Sequence, residues 1–149
     1  MAEDEDELLV ATEIELVKGQ EMTWDDSAEF YSDHFNHCEE VGLTTMYPVG
    51  SIVPLANLLD GSFTESHLFS PADGTLNGKG VLIKKKGRYA SVLHRGGYDR
   101  MIADMPSFLK KLKQRGLKPT GPVYIYALLS YLASEEEEND VYRLMFQVA

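Results

Sequence analysis

Gly42–Val49 reads GLTTMYPV and Gly116–Val123 reads GLKPTGPV. Both stretches open on Gly-Leu and close on Pro-Val, and 116 minus 42 gives an offset of 74, about half of the 149 residues. The same offset holds upstream. Trp24-Asp25 falls on Tyr98-Asp99, and Tyr31, Phe35 and Cys38 fall on Met105, Leu109 and Leu112. In the first copy Ala28, Tyr31, Phe35, Cys38 and Val41 recur at three- and four-residue steps, the signature of one apolar helix face. Thr23 suits the N-cap, Asp25 and Asp26 suit the first turn, and Gly42 suits the left-handed residue that ends a helix. In the second copy Tyr98, Met101, Met105, Phe108, Leu109 and Leu112 form the stripe, and Gly116 ends it. The chain is therefore read as one structural unit written twice.

Strands flank each helix. Leu8–Val17, Tyr47–Leu55 and Glu65–Phe69 have the β-branched content or alternation of strands in the first half, with a turn at Asp60-Gly61. In the second half Val81–Lys86 and Arg88–His94 form one long strand or two strands broken at Gly87, followed by Pro122–Leu132 and Val141–Val148. The expected fold is α+β: a tandem strand–helix–strand–strand repeat with pseudo-two-fold symmetry. Its mixed or antiparallel sheet carries two main helices on one face. Residues 1–7 are expected to be an acidic tail or linker stub, and residues 8–149 a single domain with pseudo-repeats 8–75 and 80–149. The seam between two like units is a natural ligand cleft.

Composition narrows the function. A formal net charge of −10 argues against this domain gripping nucleic acid, which needs a basic footprint. The acid is concentrated in Ala2–Glu7 and Glu135–Asp140, runs expected to face solvent. No apolar run approaches the ~20 residues that cross a bilayer, and no membrane contact is expected. The one cysteine, Cys38, rules out an internal disulfide and suits a cytoplasmic protein. His34, His37, His67 and Cys38 show no recognised metal-ligand spacing, so neither a metal nor a cofactor is expected. Lys84-Lys85-Lys86 are expected to protect an exposed strand edge.

Gly87–Tyr98 (GRYASVLHRGGY), followed by a helix and by Gly116-Leu117 and Gly121-Pro122-Val123-Tyr124, resembles the GyrI-like small-molecule-binding domain. This is the effector-binding domain of multidrug-sensing transcription regulators of the MerR family. The resemblance is close over Gly87–Val148 and looser before it. It implies a binding domain, not an enzyme, with an aromatic cleft for a lipophilic small molecule. It also implies DNA contact only through a separate N-terminal domain. Stand-alone relatives imply two alternatives, a hydrolase of reactive natural products and a protein-binding inhibitor module. Many relatives carry Glu directly after the Tyr of this motif, where this chain has Ile125, and an acid where it has Ser130. Glu29, Glu65 and Asp73 are the other acids open to that role.

Trp24, Tyr47, Tyr89, Tyr124, Tyr126 and Tyr142 are the candidate ligand-binding residues. Tyrosine recurs where phenylalanine would serve for packing alone, and Tyr124 and Tyr126, two apart in a strand, share a sheet face. No spacing of nucleophile, base or paired carboxylates stands out, so no catalytic residue is assigned. His94, at a strand end before Arg95-Gly96-Gly97, is expected to bond to that turn.

Overall fold

The computed structural model describes residues 2–4, 7–14, 24–43, 49–72, 81–84, 87–129 and 141–148. The strands are β1 (Ala2–Asp4), β2 (Glu7–Glu13), β3 (Gly50–Val53), β4 (His67–Ala72), β5 (Val81–Lys84), β6 (Gly87–Arg95), β7 (Pro119–Leu129) and β8 (Val141–Val148). The helices are α1 (Trp24–Glu40), α2 (Leu55–Leu59) and α3 (Tyr98–Gln114). The strands form one sheet in the order β1-β6-β8-β7-β3-β4-β2-β5, and every pairing is antiparallel. This is the expected α+β architecture.

The repeat holds at the level of hydrogen bonds. Both long helices have 17 residues and start 74 apart. Both end alike: Gly42 and Gly116 take positive φ (81° and 72°), and Leu43 N–H and Leu117 N–H donate to Cys38 O and Leu112 O. These 6→1 bonds across a left-handed glycine satisfy carbonyls that the helix itself leaves open. At the seam β3 pairs with β7, Gly50 opposite Tyr126, Ser51 opposite Ile125 and Ile52 opposite Tyr124. Adding 74 to one partner and subtracting it from the other returns the same ladder, so the pseudo-two-fold axis passes by the Ser51/Ile125 pair. Moving outward, Phe69 corresponds to Met145 (offset 76) and Leu9 to Tyr89 (offset 80), by their places in the matching ladders.

A second ladder crosses between the halves. Partner numbers add to 91 in both β1/β6 (Asp4 opposite Gly87) and β2/β5 (Glu7 opposite Lys84). Residues 2–4 with 87–89 and residues 7–10 with 81–84 thus share one antiparallel register. In a flat sheet β1 and β2 would stand six strand steps apart, roughly 29 Å. Asp4 and Glu7 are three residues apart, which spans at most about 11 Å. The sheet must therefore curl until its two ends meet. Ala2–Asp4, expected as part of an acidic tail, is one of the strands that close it.

Curling gives the sheet a convex and a concave face. The helices cover the convex face, α1 on β2 and β4, α3 on β6, and α2 on β7. The main core lies there: Met101, Met105, Phe108 and Leu112 of α3 meet Ala90, Val123, Ile125, Leu144 and Phe146. Burial of such side chains at roughly 1.5–3 kcal/mol each drives this packing. The short α2 ends at the expected Asp60-Gly61 turn, with Asp60 as its C-cap and Gly61 at φ 78°. Pro54, expected to close the strand or lie on an edge, follows the last residue of β3 and stands at the N-cap of α2 with φ −63°, the angle its ring imposes.

The first half packs a different interior under its helix. His34, Cys38, Thr12 and Ser70 occupy the places of Phe108, Leu112, Val92 and Phe146. Fully buried His34 lies 2.8 Å from Thr12 Oγ1 through Nδ1 and 2.7 Å from Ser70 Oγ through Nε2. His37 Nδ1 lies 2.9 Å from the same Thr12 oxygen. The Thr12 hydroxyl has one proton, so it donates to one imidazole and accepts from the other. Burial, reinforced by neighbouring His37, pulls the His34 pKa down to about 4, so the ring is neutral at neutral pH. Burial also pushes the Cys38 thiol up, which keeps it protonated and inert.

Candidate functional site

Alternation along each strand decides which side chains reach the concave face. On β7, Val123 and Ile125 point to the helix layer, so Tyr124 and Tyr126 point away from it. On the neighbouring strands Leu9, Ala11, Ile52, Phe69, Tyr89 and Met145 share that concave cluster. Gly50, opposite both Phe69 and Tyr126, leaves room for the Phe69 ring. A Cβ there would lie 2.5 Å from Phe69 Cζ and would run into the Ile125 carbonyl oxygen. Phe69 uses that space to meet Tyr124 and Tyr126 edge-on, with centroids 6.2 and 5.1 Å away. Tyr89 meets Tyr124 at 6.3 Å. Burial raises the Tyr124 pKa, so its phenol stays neutral.

At the centre of these rings is Lys84. Its side chain is 2 % exposed. Nζ lies 4.7 Å from the Tyr89 centroid, 5.1 Å from Tyr126 and 5.5 Å from Tyr124, all within cation–π range. The ammonium also donates to Tyr126 Oη at 2.9 Å. Three negative ring faces and a hydroxyl thus replace part of the hydration that burial strips from the charge.

Of the six candidate residues, Tyr89, Tyr124 and Tyr126 come together here. Tyr142 does not: it shares a stripe with Leu144 and Phe146 and joins the core under the helices. Trp24 opens α1, and Tyr47 lies outside the described residues. The sequence reading missed Phe69 and Lys84. Expected to guard an exposed edge, Lys84 is instead the most enclosed cation at the site, because the closing ladder turns the end of β5 inward. Lys85 and Lys86 lie outside the described residues. Ile125 packs against the helix layer, so an acid at that position would not face the concave side in this chain. Glu29 is exposed on α1, Asp73 is outside the described residues, and burial raises half-buried Glu65 to about 7.

The remaining polar groups serve structure. His94 Nε2 lies 3.2 Å from Asp104 Oδ2 of α3, so it ties β6 to its helix and not to the following turn. Burial lowers the His67 pKa, and Ser66 Oγ lies 2.7 Å from its Nδ1. Among the described residues no group of three or more His, Cys, Asp or Glu could hold a metal ion. Nor is any described helix long and apolar enough to cross a membrane.

This curled sheet with its helices on the convex face is a fold already seen in solved structures. One is the crystal structure of the EcmrR C-terminal domain, with a TM-score of 0.69 and 11 % identity over 99 % of this chain and 94 % of that one. Another is EcmrR in a cryo-EM structure of the EcmrR–DNA complex in EcmrR-RPo, with a TM-score of 0.72 and 12 % identity over 99 % of this chain. The chain spans 55 % of that EcmrR chain. No protein-family model matches the sequence, and no curated protein matches it.

Proposed function

We propose that this chain is the small-molecule-sensing module of a transcription regulator, a GyrI-like effector-binding domain of the MerR type. Its concave face would take a lipophilic aromatic ligand. The gathering of Phe69, Tyr89, Tyr124 and Tyr126 about one point on the helix-free face carries this reading. Aromatic walls with few polar groups suit a drug-sized ligand. The fold shared with EcmrR over about half of that regulator supports a sensing role, with DNA contact made by another part of the protein. A net charge of −10 fits that division. The reading is one of binding and not turnover, since no spacing of nucleophile, base or paired carboxylates stands out in the sequence. Calorimetric titration with a panel of aromatic dyes and drugs tests it, alongside intrinsic fluorescence. Micromolar binding that Tyr124→Ala weakens at least tenfold is expected, by loss of stacking area. If no compound binds, or if Tyr124→Ala leaves every titration unchanged, the site is not a ligand site.

A further inference from the structure

The rings that would hold a cationic ligand already hold a cation belonging to the chain. Two observations bear on what can join it. The first is access: Tyr89, Phe69 and Tyr124 are buried, whereas Tyr126 is half-buried and carries the hydroxyl bonded to Lys84. Tyr126 therefore marks the way in. The second is the company Tyr126 keeps. Gly50, Tyr126, Arg143 and Leu93 stand opposite one another in a single cross-strand row through β3, β7, β8 and β6. Directly opposed residues share a face, so Arg143 and Leu93 lie beside Tyr126 on the concave side. Arg143 is exposed there, and Leu93 is 63 % exposed despite being apolar.

A protein with an excess of acid thus holds one cation inside its aromatic cage and presents a second, with an exposed leucine, at the mouth. We propose that Lys84 sets the specificity of the cleft. It fills the cage as an internal cation and so turns away lipophilic cations. It selects aromatic ligands that carry an acid group, with Arg143 as the second charge and Leu93 and Tyr126 as the apolar rim. A second cation would share the same ring faces with Lys84 at close range and be repelled. A sulfonate or carboxylate arriving over Tyr126 meets an ammonium already held in place by the rings, with no ordering left to do. This inference rests on the reading of the concave face as a ligand site.

The test compares three fluorescent probes of similar size: anilinonaphthalene sulfonate, ethidium and neutral Nile red. They are titrated into the natural chain, Lys84→Met and Arg143→Gln, with circular dichroism as a check on folding. The natural chain should bind the sulfonate about 10- to 100-fold tighter than ethidium, the range of a charge-assisted contact. Lys84→Met should lose that preference and gain ethidium. Arg143→Gln, at an exposed position, should weaken the sulfonate and leave Nile red unchanged. Should Lys84→Met fail to fold, NMR of the natural chain decides. The Lys84 side-chain resonance, displaced by the ring currents of three tyrosines, should move with sulfonate and stay with ethidium. Ethidium binding the natural chain as tightly as the sulfonate, or a Lys84 resonance unmoved by saturating sulfonate, overturns this inference and leaves a small-molecule site intact. Binding of none of the three probes to any variant overturns the ligand-site reading itself.

Discussion

Acidification should move the stability contributions of two first-half groups, His34 and Glu65, in opposite directions. His34 has a folded pKa of about 4 against an ordinary 6.5, so the unfolded chain takes up its proton first. Its contribution is complete above pH 6.5 and is lost as pH falls toward 4. The full gap is worth about 3 kcal/mol, of which about 2 kcal/mol is gone by about pH 5. Glu65 runs the other way. Its folded pKa of about 7 against an ordinary 4.5 means that the folded chain takes up its proton first. The resulting penalty is present in full above pH 7 and relieved as pH falls toward 4.5, by about 2 kcal/mol between about pH 7.5 and 5. The two terms offset each other, so neither group shows in the natural chain. Glu65→Gln removes one side, and stability should then fall by about 2 kcal/mol more than the natural chain over that range. His34→Phe installs the residue of its counterpart Phe108, and stability should then rise by about as much relative to the natural chain. Urea unfolding followed by circular dichroism reads both as midpoint shifts of about 1 M at a slope of about 2 kcal/mol/M. Other acids titrate equally in all three chains and cancel in the differences. If the three pH profiles run parallel, the buried histidine and the raised carboxyl do not govern the pH response and the reasoning fails.

Two further predictions concern the frame around the site. Gly50→Ala should cost about 2–4 kcal/mol by urea unfolding, since its methyl group meets the Phe69 ring and the Ile125 carbonyl, and neither yields without parting β3 from β7. Gly121→Ala, whose nearest neighbours are atoms of the flexible Gln147 side chain, should cost less than about 1 kcal/mol, and equal costs would refute the packing account of the seam. Leu112→Ala should cost about 2–5 kcal/mol. Cys38→Ala, at the equivalent place, removes one sulfur atom and should cost about 1 kcal/mol in the same measurement.

The repeat was legible because its punctuation is local. A glycine that must take positive φ, and the stripe before it, can be read from neighbours a few residues apart, and so both helices and their ends lie where the offset put them. Within β7 the period of two placed Tyr124 and Tyr126 together. Tyr142 was misjudged although its stripe was visible: Leu144, Phe146 and Val148 follow it at steps of two, the pattern of a residue facing the helices. Lys84 was beyond reach for a different reason. Its burial depends on the ladders that join residues 2–4 to 87–89 and 7–10 to 81–84, and nothing in three consecutive lysines says that the strand ahead of them turns inward. Ala2–Asp4 was obscured likewise, because a run of acids reads as solvated whether or not its backbone is paired.

The β3/β7 ladder has a consequence for folding kinetics. Its register is unchanged when the two halves trade places, so the edge of β3 is a template for an edge like itself. While one half has formed and the other has not, that edge can be met by the same half of a second molecule as well as by its own sequel. Intramolecular closure is favoured by tethering, and the intermolecular route gains with concentration. Slow or crowded refolding should therefore yield exchanged dimers in which each seam is built from two chains.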